Sequence, residues 1–102
     1  MSTSGSTFKV LVIDDSNTIR RSAEIFLKQG GHEVLLAEDG FDALAKVNDF
    51  DPHLIFCDIL MPRLDGYQTS AIIKRNARFS STRIIMLSSK DGGFDKARGR
   101  MV

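Results

Sequence analysis

The chain has a single cysteine, no surplus of charge of either sign and no long apolar run, and each shortage removes a class of function. Its apolar runs reach only about five or six residues, against the roughly 20 that a membrane-crossing helix needs. No membrane insertion is expected. Cys57 has no partner within the chain for a disulfide, which agrees with a reducing, cytoplasmic compartment. Set between Phe56 and Asp58, it reads as a small core residue rather than a reactive thiol. The 14 Lys and Arg residues stand against 13 Asp and Glu, for a net charge of +1. That balance gives no bulk attraction for nucleic acid or an anionic membrane surface. The opening MSTSGST has neither a basic nor an apolar signal region, so residues 1–7 are expected to form a disordered lead-in. The turn DDSNTIR lacks the glycines that a dinucleotide's pyrophosphate requires, which disfavours that ligand class.

What remains is an ordinary globular composition, 42% apolar over 102 residues, enough for one domain over 8–102 and no second core. Segments 8–13, 33–37, 53–57 and 83–87 are short and rich in Val, Ile, Leu and Phe without clean polar alternation. Strands buried on both faces have that composition. Between them run stretches of helical period: Ile19, Ala23, Phe26 and Leu27; then Ala43, Leu44, Val47 and Phe50; then Thr69, Ile72 and Ile73. Ser16 or Asn17 can cap the first helix and Gly30-Gly31 end it, while Asp39-Gly40 and Asp65-Gly66 mark the next two starts. Strand–helix alternation of this kind predicts an α/β fold, a doubly wound parallel sheet with helices on both faces. Such sheets bind ligands beyond the carboxyl ends of their strands, where the strand order reverses. In a flavodoxin-like order 2-1-3-4 the first and third strands are neighbours at that point.

Those two strands end in carboxylates. Asp14 and Asp15 close the run FKVLVI, and Asp58 closes HLIFC. Three like charges meeting in one crevice repel unless a cation or proton intervenes. Mg²⁺, which favours a few carboxylates plus water and phosphate oxygens, suits an open all-oxygen cluster. The competing reading is that Asp14 and Asp15 only cap the following helix. A cation there also makes one carboxylate a plausible nucleophile toward a phosphoryl group, and Asp58 is the candidate. It ends its strand just before ILMPRLDG, where Pro62 re-aims the loop or is an ordinary loop proline.

The fourth strand, RIIML, runs into Ser88-Ser89-Lys90-Asp91. A Ser88 hydroxyl could bond a phosphoryl oxygen on Asp58 and report it to a distant surface, or simply start a loop. Lys90 could reach an anion, although loop lysines are usually only solvated. His32 and His53 lie at no ligand spacing and read as surface residues. Met61 and Met86 read as loop and core fillers.

Taken together, VLVIDDS, IFCDILMPRLDG and IIMLSS resemble the receiver domain of bacterial response regulators, in order and separation, across nearly all of Phe8 to Val102. The resemblance implies that Asp58 accepts phosphate from a histidine kinase or phosphotransfer domain. It further implies that Asp14 and Asp15 hold Mg²⁺ together with Asp58 and the Leu60 backbone carbonyl, and that Ser88 is the switch hydroxyl. DGFDALAK, MPRLDGYQT and MLSSKDGGFDKARGR look closest to PilG-type single-domain regulators of chemotaxis-like systems, which implies control of type IV pili and twitching motility through an output protein. Receivers carry a fifth strand, ending in a lysine that pairs with the phosphorylated site, and a fifth helix. Here the pattern stops before both, so a C-terminally incomplete receiver is expected, and Lys90 is not given the lysine's role. The fourth strand then becomes an edge and the first helix loses cover, which predicts self-association through those two elements or else marginal stability.

Two other functions compete. One is a scaffold that binds partners or itself without phosphotransfer. The other is an aspartyl phosphohydrolase, whose class resembles D-x-D after the first strand, where this chain has adjacent Asp14-Asp15 and then Ser16.

Overall fold

The computed structural model describes residues 7–88 and the backbone of 100–101. Most of the expected lead-in, Ser89, Lys90 and Asp91 lie outside the described residues. In chain order the elements are β1 (Lys9–Ile13), α1 (Asn17–Gln29), β2 (Glu33–Ala37), α2 (Gly40–Phe50), β3 (Leu54–Asp58), α3 (Gly66–Arg75), a 3-10 turn (Ala77–Phe79), β4 (Arg83–Leu87) and β5 (Arg100–Met101). The sheet order is β2-β1-β3-β4-β5, and the first four strands run parallel. Strand order 2-1-3-4 and the doubly wound architecture therefore match the expectation. The fourth strand's edge differs from it. β5 returns antiparallel, pairing Met101 with Ile85 and Arg100 with Met86, so part of β4 is covered by this chain's own backbone. Unpaired edge groups are a template for such an addition, and two residues suffice to occupy two positions.

Helix ends follow from short polar side chains placed at the turns. Ser16 caps α1, its hydroxyl accepting from the Ile19 N–H at 3.3 Å. Asp39 caps α2 by accepting from the Asp42 N–H at 2.7 Å. Asp65 and Gln68 cap α3 reciprocally, each side chain accepting from the other's backbone N–H at 2.8 and 3.0 Å. Each arrangement satisfies donors that a helix start leaves open.

The core lies mainly on one side of the sheet. Leu11, Ile13, Ile55, Cys57, Ile84 and Met86 are buried there against Ala43 and Val47 of α2, Ile73 of α3 and Phe79. On the opposite side α1 covers β1 and β2. Leu54, Phe56, Ile85 and Leu87 point that way and are only half-buried, in alternation with buried neighbours. Among the described residues the two faces are thus unequally covered. His32 and His53 lie at the amino end of the sheet, His53 exposed and His32 half-buried. Both do more than face solvent: their Nδ1 atoms accept from the Phe8 and Lys9 N–H groups at 3.1 and 2.9 Å, pinning the start of β1.

One glycine sets how closely α3 approaches β3. A Cβ at Gly66 would collide with the Asp58 carbonyl oxygen, the Met86 methyl and the Ile59 Cα. Two of those neighbours are backbone, which has no rotamer to yield. Gly66→Ala is expected to destabilise the fold by about 1–3 kcal/mol, the range for overpacking. Urea unfolding would measure it, and an unchanged midpoint would show that the α3 start is free to shift.

Candidate functional site

Parallel pairing of β1 with β3 sets Val10 beside Leu54 and Ile13 beside Cys57. One residue further along each strand stand Asp14 and Asp58. One carboxylate oxygen from each of Asp14, Asp15 and Asp58 lies within 4.8 Å of the other two. Asp14 and Asp58 are 3% and 1% exposed, whereas Asp15 faces solvent. The three residues expected to meet do so, although Asp58 is 44 residues from Asp14 in the chain.

Backbone donors hold two of these carboxylates. Asp14 Oδ1 accepts from the Ser16 N–H at 2.8 Å, and Asp58 Oδ1 accepts from the Leu60 N–H at 3.3 Å. Both are tight turns of the Asx kind, in which a side chain caps the amide two residues on. Asp14 thus closes the turn that leads into α1, whose cap is Ser16 and not Asp14 or Asp15. Leu60 sits directly beside the cluster in a closed loop, because the Gly66 N–H returns to the Ile59 carbonyl at 2.9 Å. Ser88 follows Leu87, which pairs with Asp58, and is half-buried at the same rim of the sheet.

At an effective dielectric of about 20, two unit charges at this separation repel by about 3 kcal/mol. The donor set is hard and all oxygen, the chemistry Mg²⁺ takes. Ligand oxygens around Mg²⁺, each about 2.0–2.1 Å from the ion, stand about 3–4 Å apart, so the cluster needs only a small contraction to share one ion. The residues present therefore fit such an ion, with Asp14, Asp15 and Asp58 as its side-chain ligands.

A family model of the response regulator receiver domain matches residues 10–101. The chain belongs to the response regulator receiver family. Among curated relatives it is similar to protein PilG of Pseudomonas aeruginosa, 67% identical over 94 residues, which are 92% of this chain and 70% of that protein. It is also similar to protein PilH of the same organism, 34% identical over 92 residues, 90% of this chain and 76% of that one. Among solved structures, the chemotaxis protein CheY4 of Vibrio cholerae superposes with a TM-score of 0.76 at 33% identity, covering 79% of this chain and 68% of that one. The N-terminal domain of a response regulator receiver protein from Methanoculleus marisnigri gives 0.77 at 30% identity, with 80% and 67% covered.

The receiver's rim holds residues that the sequence reading did not single out. Arg20, one turn into α1, donates to the Asp14 carbonyl at 2.6 Å and to Asn17 Oδ1 at 3.2 Å, bringing a cation to the acidic turn. Its place four residues after the Ser16 cap was the available signal. Arg63 pairs with Asp39 at 2.6 Å across the gap between the β3–α3 loop and α2. No local pattern announces a pair 24 residues apart.

Cys57 bears out its assignment to the core. It is 0% exposed. Burial first, then the negative charges of Asp58, Asp14 and Asp65, push its thiol up to about 12. A raised pKa means the neutral thiol persists through the whole physiological range. At pH 8.5 iodoacetamide is expected to leave Cys57 unmodified in the folded receiver and to label it on unfolding, read by mass spectrometry. Because burial is the larger cause, Asp58→Asn should remain protected; rapid labelling of that variant would assign the shift to charge instead.

Proposed function

We propose that this receiver is the phosphoacceptor of a two-component phosphorelay, with Asp58 as the residue that takes the phosphoryl group. The observation that carries the proposal is the convergence of Asp14, Asp15 and Asp58 within 4.8 Å at the carboxyl ends of two neighbouring strands. An oxygen of the Asp58 carboxylate attacks the phosphorus of a phosphohistidine on a kinase or phosphotransfer domain. An O–P bond forms as the N–P bond breaks, and the imidazole leaves with the electron pair. Asp14, Asp15 and Asp58, with the Leu60 carbonyl, would hold Mg²⁺, which supplies charge neutralisation between carboxylates and phosphoryl oxygens. The Leu60 N–H already bonds Asp58 Oδ1 and helps to orient it. Ser88, beside Leu87 at the end of β4, is placed to donate its hydroxyl to a phosphoryl oxygen and so to act as the switch.

In this role the chain is a signalling module, catalysing at most its own phosphorylation and dephosphorylation. Similarity to PilG and PilH supports a place in the control of pilus-based twitching motility, through an output protein, in the cytoplasm. No helix among the described residues is long and apolar enough to cross a membrane. The domain bounds 8–102 enclose the matched residues 10–101.

The test uses acetyl phosphate as a small phosphodonor. The receiver should gain one phosphoryl group in Mg²⁺, lose labelling when EDTA removes the ion, and lose it in Asp58→Asn. Labelling that survives in Asp58→Asn would overturn the assignment of Asp58.

A second reading, self-association without phosphotransfer, is favoured by one observation. The half-covered face of β3 and β4 and the apolar side of α1 enclose a groove of about 440 Å³, with Phe26 at its margin 74% exposed. Exposed apolar surface of this kind marks contact sites. Sedimentation at tens of micromolar should show a dimer that Phe26→Glu disperses, and a monomer at every concentration would remove this reading.

A further inference from the structure

The β3–α3 loop contains a turn that its sequence does not favour. The Leu64 N–H donates to the Pro62 carbonyl at 2.7 Å, an i to i+2 bond, and Arg63 between them has φ +70°. This is the γ-turn of positive φ, which is rare and strained. Glycine would adopt that φ without steric cost; a long side chain does so only when its surroundings hold it there. The surroundings that hold Arg63 are visible. Its guanidinium pairs with Asp39 Oδ2 at 2.6 Å and lies 5.1 Å over the Phe41 ring. Asp39 is itself fixed, since its other oxygen caps α2 through the Asp42 N–H. Its side chain is 15% exposed, against 64% for that of Arg63.

The same loop carries Leu60. At its base the Gly66 N–H bonds the Ile59 carbonyl, and at its tip Arg63 is tied to α2. Leu60 lies between these two fastenings, its N–H on Asp58. An exposed ion pair adds little to stability in itself. Its effect here is geometric: it determines where a seven-residue connection, 59–65, can go.

We propose that Arg63 is a positioning residue for cation binding: its bond to Asp39 and its seat on Phe41 hold the loop in the strained turn that keeps Leu60, whose N–H bonds Asp58, beside the acidic cluster. The proposal rests on the reading of that cluster as a Mg²⁺ site. It assigns to a residue outside the ligand set a share of the site's preorganisation, as outer-shell partners supply in metal sites generally.

Two single substitutions separate positioning from folding. Arg63→Gly relieves the positive φ and removes the clamp. Asp39→Asn keeps an effective helix cap and removes only the charge that holds Arg63. Calorimetric titration of the full chain with Mg²⁺ should show affinity weakened by about tenfold in either variant, the lower end of outer-shell effects. The double variant should be no weaker than the singles, because both break the same contact. Thermal unfolding without Mg²⁺ should leave Arg63→Gly at least as stable as the parent, and Arg63→Lys should restore part of the affinity. Unchanged affinity in both single variants, or losses that add in the double variant, would overturn the proposal. Failure of the parent chain to bind Mg²⁺ would overturn the reading of the cluster itself, and this inference with it.

Discussion

Everything at the candidate site depends on the parallel pairing of β1 with β3 in one register. That pairing alone brings Asp14 and Asp58 to the same rim, since nothing local links residues so far apart in the chain. A slip of one residue would turn the inward-facing set of a strand to the opposite face. The register is guarded by burial on both sides of the slip: Leu11, Ile13, Ile55 and Cys57 would leave the α2–α3 core for the α1 side. Charges that repel are thus held together by apolar packing several ångströms away, which is how a folded chain can keep carboxylates close before any ion arrives.

Much of this was legible because the signals are local. Strands buried on both faces show as unbroken runs of Val, Ile, Leu and Phe, and the expected segments 33–37 and 83–87 coincide with β2 and β4, while β1 and β3 begin one residue later than expected. Asp39, Asp65 and Ser16 announce helix starts because capping is chemistry within four residues. What escaped is what depends on the tertiary path. β5 is defined by its antiparallel pairing with β4, and two residues carry no period. The bonds by which the His32 and His53 Nδ1 atoms accept from the Phe8 and Lys9 N–H groups need β1, β2 and β3 side by side at their amino ends. Arg63 in a positive-φ turn contradicts its own local preference, and only Asp39 and Phe41, over twenty residues earlier, explain it.

Among the described residues the two faces of the sheet are unequally covered. Leu54, Phe56, Ile85 and Leu87 are as apolar as their buried neighbours Ile55, Cys57, Ile84 and Met86, so the composition calls for cover on both faces. Apolar burial is worth about 25 cal/mol per Å², so such surface left half-covered among the described residues forgoes free energy that counts against a domain's small net stability. The groove beside α1 therefore favours any arrangement that fills it. Its lining includes Asp14 and Asp58, so whatever occupies the groove borders the acidic cluster.

That adjacency bears on how a phosphoryl group would be sensed. On the proposed reading, phosphorylation converts the single negative charge of the Asp58 carboxylate into an acyl phosphate carrying close to two, beside the carboxylates of Asp14 and Asp15. The cation then becomes more necessary, and every donor at the rim gains a reason to turn inward. Three groups lie at this rim: the Leu60 amide in its closed loop, Ser88 at the end of β4, and Arg20, tied to the Asp14 carbonyl. They belong to β3–α3, β4 and α1 respectively, so a single charge at one strand end loads three separate elements. Of these, α1 and β4 also wall the apolar groove. A change in local charge is thereby placed to alter the shape of a hydrophobic surface, which is the form of signal that a protein partner can read.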